Sequence, residues 1–355
     1  MDLDNRESFA ALDKSQVYES VELLPNQFEE AWEGMKSVEL PPYGILLNVV
    51  ICGMGGSALG GRIIDALSED NQRVPIEVFT GYHVPFYTGQ QTLVIISSYS
   101  GNTEESLASA EHALQKGAKI FCLTTGGKLL EFAKANNLAY YLIDPKSNPS
   151  GQPRLALGYS VAATIALLSK LGIVEIDDEY MTQSIGFARS VSEEFKVDQP
   201  KTKNKAKQTA LELLDKIPVL VASEHLTGAA HAFKNQLNES SKNFSALFEL
   251  PELNHHLMEG LSHPEAAKQY LEFVAFESNL YTDRVQSRYK ITYDVLRKND
   301  IAHTVYKTNG VAKLAQVLEV LVFGSFVQFY LAMLNGVNPE PIPWVNYFKK
   351  ELEKI

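Results

Sequence analysis

With 355 residues the chain exceeds the size at which a single hydrophobic core keeps growing, so two domains are expected. Its 45% hydrophobic and 21% charged residues exclude a disordered chain, and 32 basic against 43 acidic residues give a net charge of −11 that repels nucleic acid and anionic membranes. An anionic substrate must then be held by local devices: helix N-termini, hydroxyls, an individual Arg or Lys.

The start, MDLDNRESFAALDKS, is acidic and lacks a basic stretch followed by an apolar one, so it does not read as a secretion signal; the expected compartment is the cytoplasm. Residues 5–36 read as helical, and Pro41, Pro42 and Tyr43 punctuate before a first strand, ILLNVVICG. Next come the continuous apolar runs TLVIISS, KIFCLTT and AYYLID, as expected of parallel strands covered on both faces. Between them lie helical patterns at TEESLASAEHALQKG, closing on Gly117, and KLLEFAKANN, closing on Asn136 and Asn137. Cys52 and Cys122 fall inside two of the apolar runs and read as reduced, structural residues.

Residues 144–154, DPKSNPSGQPR, are dense in Pro, Ser, Asn and Gly and form a loop, and a helical pattern follows over 155–171. After the charged run KTKNKAKQ the alternation restarts, with strands at PVLVAS, SALFEL, YLEFVAF and IAHTVYKT. Helices are expected at TGAAHAFKNQLNES, YTDRVQSRYKITYDVLRKND and over 311–335. The last of these contains VLEVLVFGSFVQFYLAMLNG, whose Glu319 and Gln328 mark a buried core helix rather than a membrane span. Strand and helix in alternation define an α/β protein with parallel sheets. VVICGMGGSALGGRIIDAL and VLVASEHLTGAAHAFKNQL share a strand, a short turn and a hydroxyl residue (Ser57, Thr227) at the helix start. This weak internal repeat suggests two copies of one α/β unit.

Two stretches carry chemistry. In ICGMGGSALGG, residues 51–61, Gly53, Gly55 and Ala58 fit a dinucleotide fingerprint, yet Glu77 lies inside the next strand candidate, PIEVFT, instead of at its end where a ribose-binding carboxylate is wanted. In SSYSGNTEES, residues 97–106, Ser97, Ser98, Ser100 and Thr103 precede or open a helix, with Asn102 and Glu105 at capping-box spacing. Hydroxyls and free N–H groups at two adjacent helix starts suit a compact phosphate monoester. Glu104 and Glu105 must then point away from that anion.

GMGGSALGG followed by SYSGNTEES closely resembles the first sugar-isomerase (SIS) domain of the bifunctional phosphoglucose/phosphomannose isomerase family. In chain order, PRLALGYS resembles the family's arginine loop, KNQLNESSKN its glutamate helix, PELNHH its histidine segment and GVNPEPIPWVNYFKKEL its closing segment. The resemblance implies two three-layer α/β/α SIS domains. Their expected bounds are an N-terminal helical segment at 1–40, a phosphate-binding domain at 41–190, a second domain at 191–336 and a helical tail at 337–355 returning to the active site. It further implies a cofactor-free, metal-free isomerase of 6-phosphosugars working as a homodimer. Gly56, Ser57, Ser98, Ser100 and Thr103 would hold the phosphate. Glu239 would move the proton, Arg154 would stabilise the enediolate, and His255, supplied by the partner subunit, would open the ring. Lys349 would lie near the ring oxygen. His256 and Lys350 stand beside the assigned residues, and Asn338 occupies a position where the family usually has Asp.

Rival readings remain open in the sequence. His255, Glu259 and His263 at a spacing of four could hold zinc on one helix face, although Gly260 and Pro264 weaken that helix. A sugar-phosphate sensor that binds DNA would need a basic helix-turn-helix segment, a glutamine-dependent synthase a cysteine where Asp2 stands, and a dehydrogenase a nicotinamide cofactor.

Overall fold

The computed structural model describes residues 1–68 and 72–354. The N-terminal segment is a 3-10 turn (Arg6–Phe9) followed by two helices, α1 (Val17–Glu22) and α2 (Leu24–Lys36), rather than one helix. The break falls where Pro25 enters, because proline is tolerated only in a helix's first turn.

Five parallel strands follow: β1 (Asn48–Cys52), β2 (Ile76–Phe79), β3 (Thr92–Ser97), β4 (Lys119–Thr124) and β5 (Ala139–Leu142). They interleave with α3 (Gly56–Ser68), α4 (Glu104–Gln115) and α5 (Gly127–Ala135) and stand in the order β2-β1-β3-β4-β5. Side chains alternate faces along a strand. Val49, Ile51, Leu93 and Ile95 therefore pack in one core with Leu59 and Ile63 of α3, while Val50, Cys52, Val94 and Ile96 pack in a second with Ala110 of α4 and Leu129 of α5. Both faces are covered, which is why these strands read as unbroken apolar runs. Both cysteines are free and buried, as expected.

Helices α6 (Leu157–Lys170), α7 (Asp178–Phe195) and α8 (Lys205–Glu212) lead to a second parallel sheet. The charged run before it hides a buried cation: the Lys207 ammonium donates to Asp4 at 2.8 Å and to the carbonyls of Val197 and Gln199, both at 2.7 Å, pinning the N-terminus to α8. Strands β6 (Ile217–Ala222), β7 (Ala246–Glu249), β8 (Leu271–Glu277) and β9 (Ala302–Lys307) stand in the order β7-β6-β8-β9. Around them lie α9 (Thr227–Glu239), α10 (Leu253–His256), α11 (Ala267–Tyr270), α12 (Asp283–Lys298), α13 (Lys313–Leu334) and finally α14 (Pro343–Leu352). In both sheets the second strand flanks the first on one side and the third on the other. The faint sequence repeat is thus matched by a repeated strand order.

α13 is long and apolar enough to cross a membrane by length and composition, but 94% of its most apolar window is buried inside the fold. Its Glu319 carboxylate accepts from the Asn309 and Gly310 amides and from Tyr306 Oη, which offsets the cost of burying it. The segment holding His255, Glu259 and His263 is not one helix, since α10 ends at His256 and a 3-10 turn, Met258–Ser262, follows. The three side chains therefore do not share a helix face.

Candidate active site

The strand order 2-1-3 creates a topological switch point between β1 and β3, and open α/β sheets bind ligands outside the carboxyl ends of the strands there. Both hydroxyl-rich turns sit at this point. Ser57 Oγ accepts from the Tyr99 amide at 2.9 Å, so the turn after β1 is bonded to the turn after β3. Ser98 is buried and donates to Thr103 Oγ1 at 3.1 Å, and Ser100, which is exposed, accepts from the Asn102 amide at 3.3 Å. Gly56, Ser57, Ser98, Ser100 and Thr103 therefore gather at one crevice.

The glycines divide the work differently from a simple anion cradle. Gly55, at φ +50, is the turn's left-handed residue. A Cβ on Gly56 would lie 2.8 Å from the Pro153 carbonyl and 2.9 Å from the Arg154 amide, so this glycine lets α3 abut the arginine loop. Gly60 and Gly61 face Ser160 and the Ile51 side chain at 3.0 and 2.9 Å from a would-be Cβ, which lets α3 pack closely on its neighbours.

The capping box expected for α4 does not form. Thr103 is its N-cap and has no side-chain cap bond, while Asn102 Oδ1 instead accepts from the Lys128 amide at the start of α5. Tertiary structure has claimed the asparagine for joining two turns. Glu104 accepts a hydrogen bond from Tyr82 Oη, so this carboxylate is already engaged at the helix start.

Arg154 sits in a 3-10 turn, Pro153–Leu155, and is 2% exposed. Its guanidinium donates to Ser240 Oγ at 2.8 Å, Gln152 Oε1 at 2.9 Å and the carbonyls of Pro339 and Glu340 at 2.8 and 2.6 Å. Burial depresses its pKa, while the charges of Glu239 and Glu340 oppose that shift. Glu239, the last residue of α9, places Oε2 3.7 Å from this guanidinium. Burial raises its carboxyl above the usual range, and Arg154, Lys242 and Lys349 pull it back down. Gln236, one turn earlier, donates to the Arg154 carbonyl at 3.1 Å and locks α9 to the arginine loop.

Lys349 on α14 is near enough to act on Glu239, whereas Lys350 does not figure among the charges that do. Asn338 Oδ1 accepts from the Glu340 amide at 2.9 Å, a bond an amide oxygen makes as well as a carboxylate would, so the departure from Asp leaves this turn intact. His255 is not brought to this cluster within the chain. It lies exposed on α10, and its neighbour His256 packs its ring 5.8 Å from that of Phe248.

Sequence reasoning missed Lys242, Gln152 and Ser240. Lys242, at φ +55, donates to the Glu239 carbonyl and, at 2.6 Å, to that of Pro341; burial pushes its pKa down to about 8. Its presence three residues after Glu239 was visible, but nothing local showed that it would bridge to a segment about 100 residues away.

An acid poised by burial, beside a fixed guanidinium and next to a hydroxyl-lined turn, is an arrangement for moving protons on a bound anion. The fold is shared with solved structures. A hypothetical protein from Thermus thermophilus superposes with a TM-score of 0.73 at 17% identity, covering 98% of this chain and 92% of that one. A glucose-6-phosphate isomerase-like protein from the same organism superposes at 0.61 and 16% identity, covering 96% and 98% of the two chains. These show a shared α/β fold, and residues 202–352 match the bacterial phospho-glucose isomerase C-terminal SIS domain. A bifunctional phosphoglucose/phosphomannose isomerase from Caldicellulosiruptor bescii is 34% identical over 96% of this chain and 99% of its own, and one from Aquifex aeolicus is 31% identical over the same shares. The chain belongs to the bifunctional phosphoglucose/phosphomannose isomerase family.

Proposed function

We propose that the protein interconverts glucose 6-phosphate, and mannose 6-phosphate as well, with fructose 6-phosphate. The Arg154–Glu239 pair beside the glycine turn carries this reading. The phosphate docks on the Gly56 and Ser57 turn and on Ser98, Ser100 and Thr103, and its binding energy positions the reacting carbons. Glu239 takes the C2 proton and returns it to C1 through a cis-enediolate, a transfer between adjacent carbons that one carboxylate can perform without metal or cofactor. The raised carboxyl pKa makes it a stronger base once ionised, and Arg154 holds the oxygens on which charge develops. Lys349 stands toward the ring oxygen.

Ring opening falls to His255 of the partner subunit in a homodimer, since within the chain His255 is exposed and apart from Glu239. The N-terminal segment, the two sheets with their helices and the tail serve as the four structural units with the bounds given above, and the cytoplasm is the working compartment. A coupled assay on both aldose phosphates tests the reaction. Activity on at least one is expected, with deuterium from solvent entering C1 of the ketose product, and a Glu239→Gln variant should lose it; inactivity on both substrates refutes the proposal. Mixing inactive Glu239→Gln with inactive His255→Asn should restore roughly a quarter of wild-type activity, because half the dimers then hold one intact site. No restoration removes the shared-site dimer.

A further inference from the structure

The loop over residues 144–154 that carries Arg154 is held from two sides. On one side stand the N-terminal helices. Gln27 of α2 donates through Nε2 to the carbonyls of Ser147 at 2.9 Å and Leu155 at 2.8 Å, and Ser147 Oγ donates to Glu30 Oε1 at 2.7 Å. The Ser150 amide donates to Ser20 Oγ of α1 at 3.0 Å. These bonds fix where the loop runs, and none of them reaches the glycine turn or the turn after β3.

On the other side stands Tyr99, in the turn after β3, where it lines a small gap together with Gly56, Ser57 and Pro153. Its amide donates to Ser57 Oγ at 2.9 Å, and its ring hydroxyl accepts from Asn148 Nδ2, also at 2.9 Å. Among the described residues, no other hydrogen bond runs from the arginine loop to either hydroxyl-rich turn. Asn148 is 3% exposed, and a buried amide is costly unless bonded. The same Nδ2 donates to the Gln152 carbonyl at 3.1 Å, while Oδ1 accepts from Ser150 Oγ at 2.8 Å. A carbonyl can only accept, so the amide nitrogen is fixed on the side of Gln152 and Tyr99.

Gln152 carries the connection onward. Its Oε1 accepts from Arg154 Nη1 at 2.9 Å and its Nε2 donates to Glu340 Oε1 at 3.0 Å. A continuous path of hydrogen bonds and short backbone therefore runs from Ser57 through Tyr99, Asn148 and Gln152 to the guanidinium. The loop is already pinned at Ser147, Ser150 and Leu155, so what Asn148 adds is register between the anchor and Arg154. Register matters to the chemistry, because a displacement of about 1 Å at a reacting group can cost about a hundredfold in rate.

We propose that Tyr99 and Asn148 are positioning residues for the isomerisation, setting Arg154 at a fixed place relative to the phosphate turn so that phosphate binding orients the group facing the enediolate. This rests on the roles given above to Arg154 and to that turn. Two unreactive probes test it by calorimetry: arabitol 5-phosphate, and arabinonate 5-phosphate, whose carboxylate stands in for the enediolate oxygens. Wild type should bind the aldonate about tenfold more tightly than the pentitol, the share a fixed guanidinium supplies. Tyr99→Phe and Asn148→Ala should each bring the two affinities within about twofold by loosening the pentitol's rival alone, and Arg154→Gln should do the same. Adding Tyr99→Phe to Arg154→Gln should change nothing further, an outcome that a merely structural role would not give. Unchanged pentitol binding in each variant shows a folded chain with its phosphate turn intact, and kcat should fall about tenfold in Tyr99→Phe and Asn148→Ala. A wild-type ratio in Tyr99→Phe and Asn148→Ala, beside its loss in Arg154→Gln, overturns the positioning role alone. Equal affinities in wild type, or a ratio that survives Arg154→Gln, overturn the role of Arg154 and this proposal with it.

Discussion

Replacing Arg154 by Lys keeps the charge and removes the fork, which isolates what the guanidinium geometry contributes. Four acceptors converge on it at 2.6 to 2.9 Å: Ser240 Oγ, Gln152 Oε1 and the carbonyls of residues 339 and 340. A lysine ammonium, a compact donor on a flexible stem, cannot reach all four in this planar arrangement. The two hydroxyl and amide side chains can rotate to other partners, but the two backbone carbonyls cannot. Each buried carbonyl left unpaired costs about 1–3 kcal/mol, so the expected loss is about 3 kcal/mol. For a chain of this length that corresponds to a fall in Tm of roughly 4 °C. The kinetic loss should be larger in kcat, by about 10²–10³, because a fixed donor at the developing charge is removed. KM should stay within about threefold because the turn proposed to hold the phosphate is untouched. Steady-state kinetics, thermal denaturation and trypsin cleavage after Lys349 and Lys350 read all three effects, since the closing segment hangs on the lost bonds. Wild-type kcat with unchanged cleavage would refute the clamp and its catalytic role together.

Gly56→Ala should cost about 1–3 kcal/mol and most of the activity, since the new Cβ meets backbone that cannot yield without moving Arg154; Gly81→Ala, with open space around it, is the neutral control in the same denaturation and rate measurements. The acid limb of kcat/KM should lie above the ordinary carboxylate range because burial raises Glu239, and Lys242→Met should move it higher still by removing a charge that lowers that pKa; an unmoved limb would take Lys242 out of the site. His231 has its folded pKa depressed to about 4, so the unfolded chain takes up the proton first and stability present above about pH 6.5 is lost as the pH falls toward 4. The loss is about 3 kcal/mol at most, and His231→Gln should flatten it in urea titrations at pH 7 and pH 4.5.

Much of the fold was legible, because strands such as TLVIISS bury both faces and so carry an unbroken apolar centre, Leu93 to Ile96. The glycine and hydroxyl turns were legible too, since their residues lie within one turn of each other. What sequence could not show is contact across long separations. Asn102 looked like half of a capping box because helix starts favour Asn; only the packed sheet shows that α5 needs it more. Lys207 sat in a run of solvated charge, yet it is the one lysine there that the fold turns inward. Pro25 was a visible break that a helical reading of 5–36 passed over. Arg154 and Glu239 could be picked out only through resemblance, since a lone Arg in a loop and a Glu at a helix end are ordinary surface residues until folding sets them 3.7 Å apart.

The seat of Arg154 is built from residues 185 and 186 positions further along the chain. During synthesis the glycine turn, both sheets and Glu239 can all be in place while the guanidinium has only Ser240 and Gln152 around it. The last bonds of the arginine seat therefore close only when the segment carrying residues 339 and 340 packs against a turn formed far earlier in the chain.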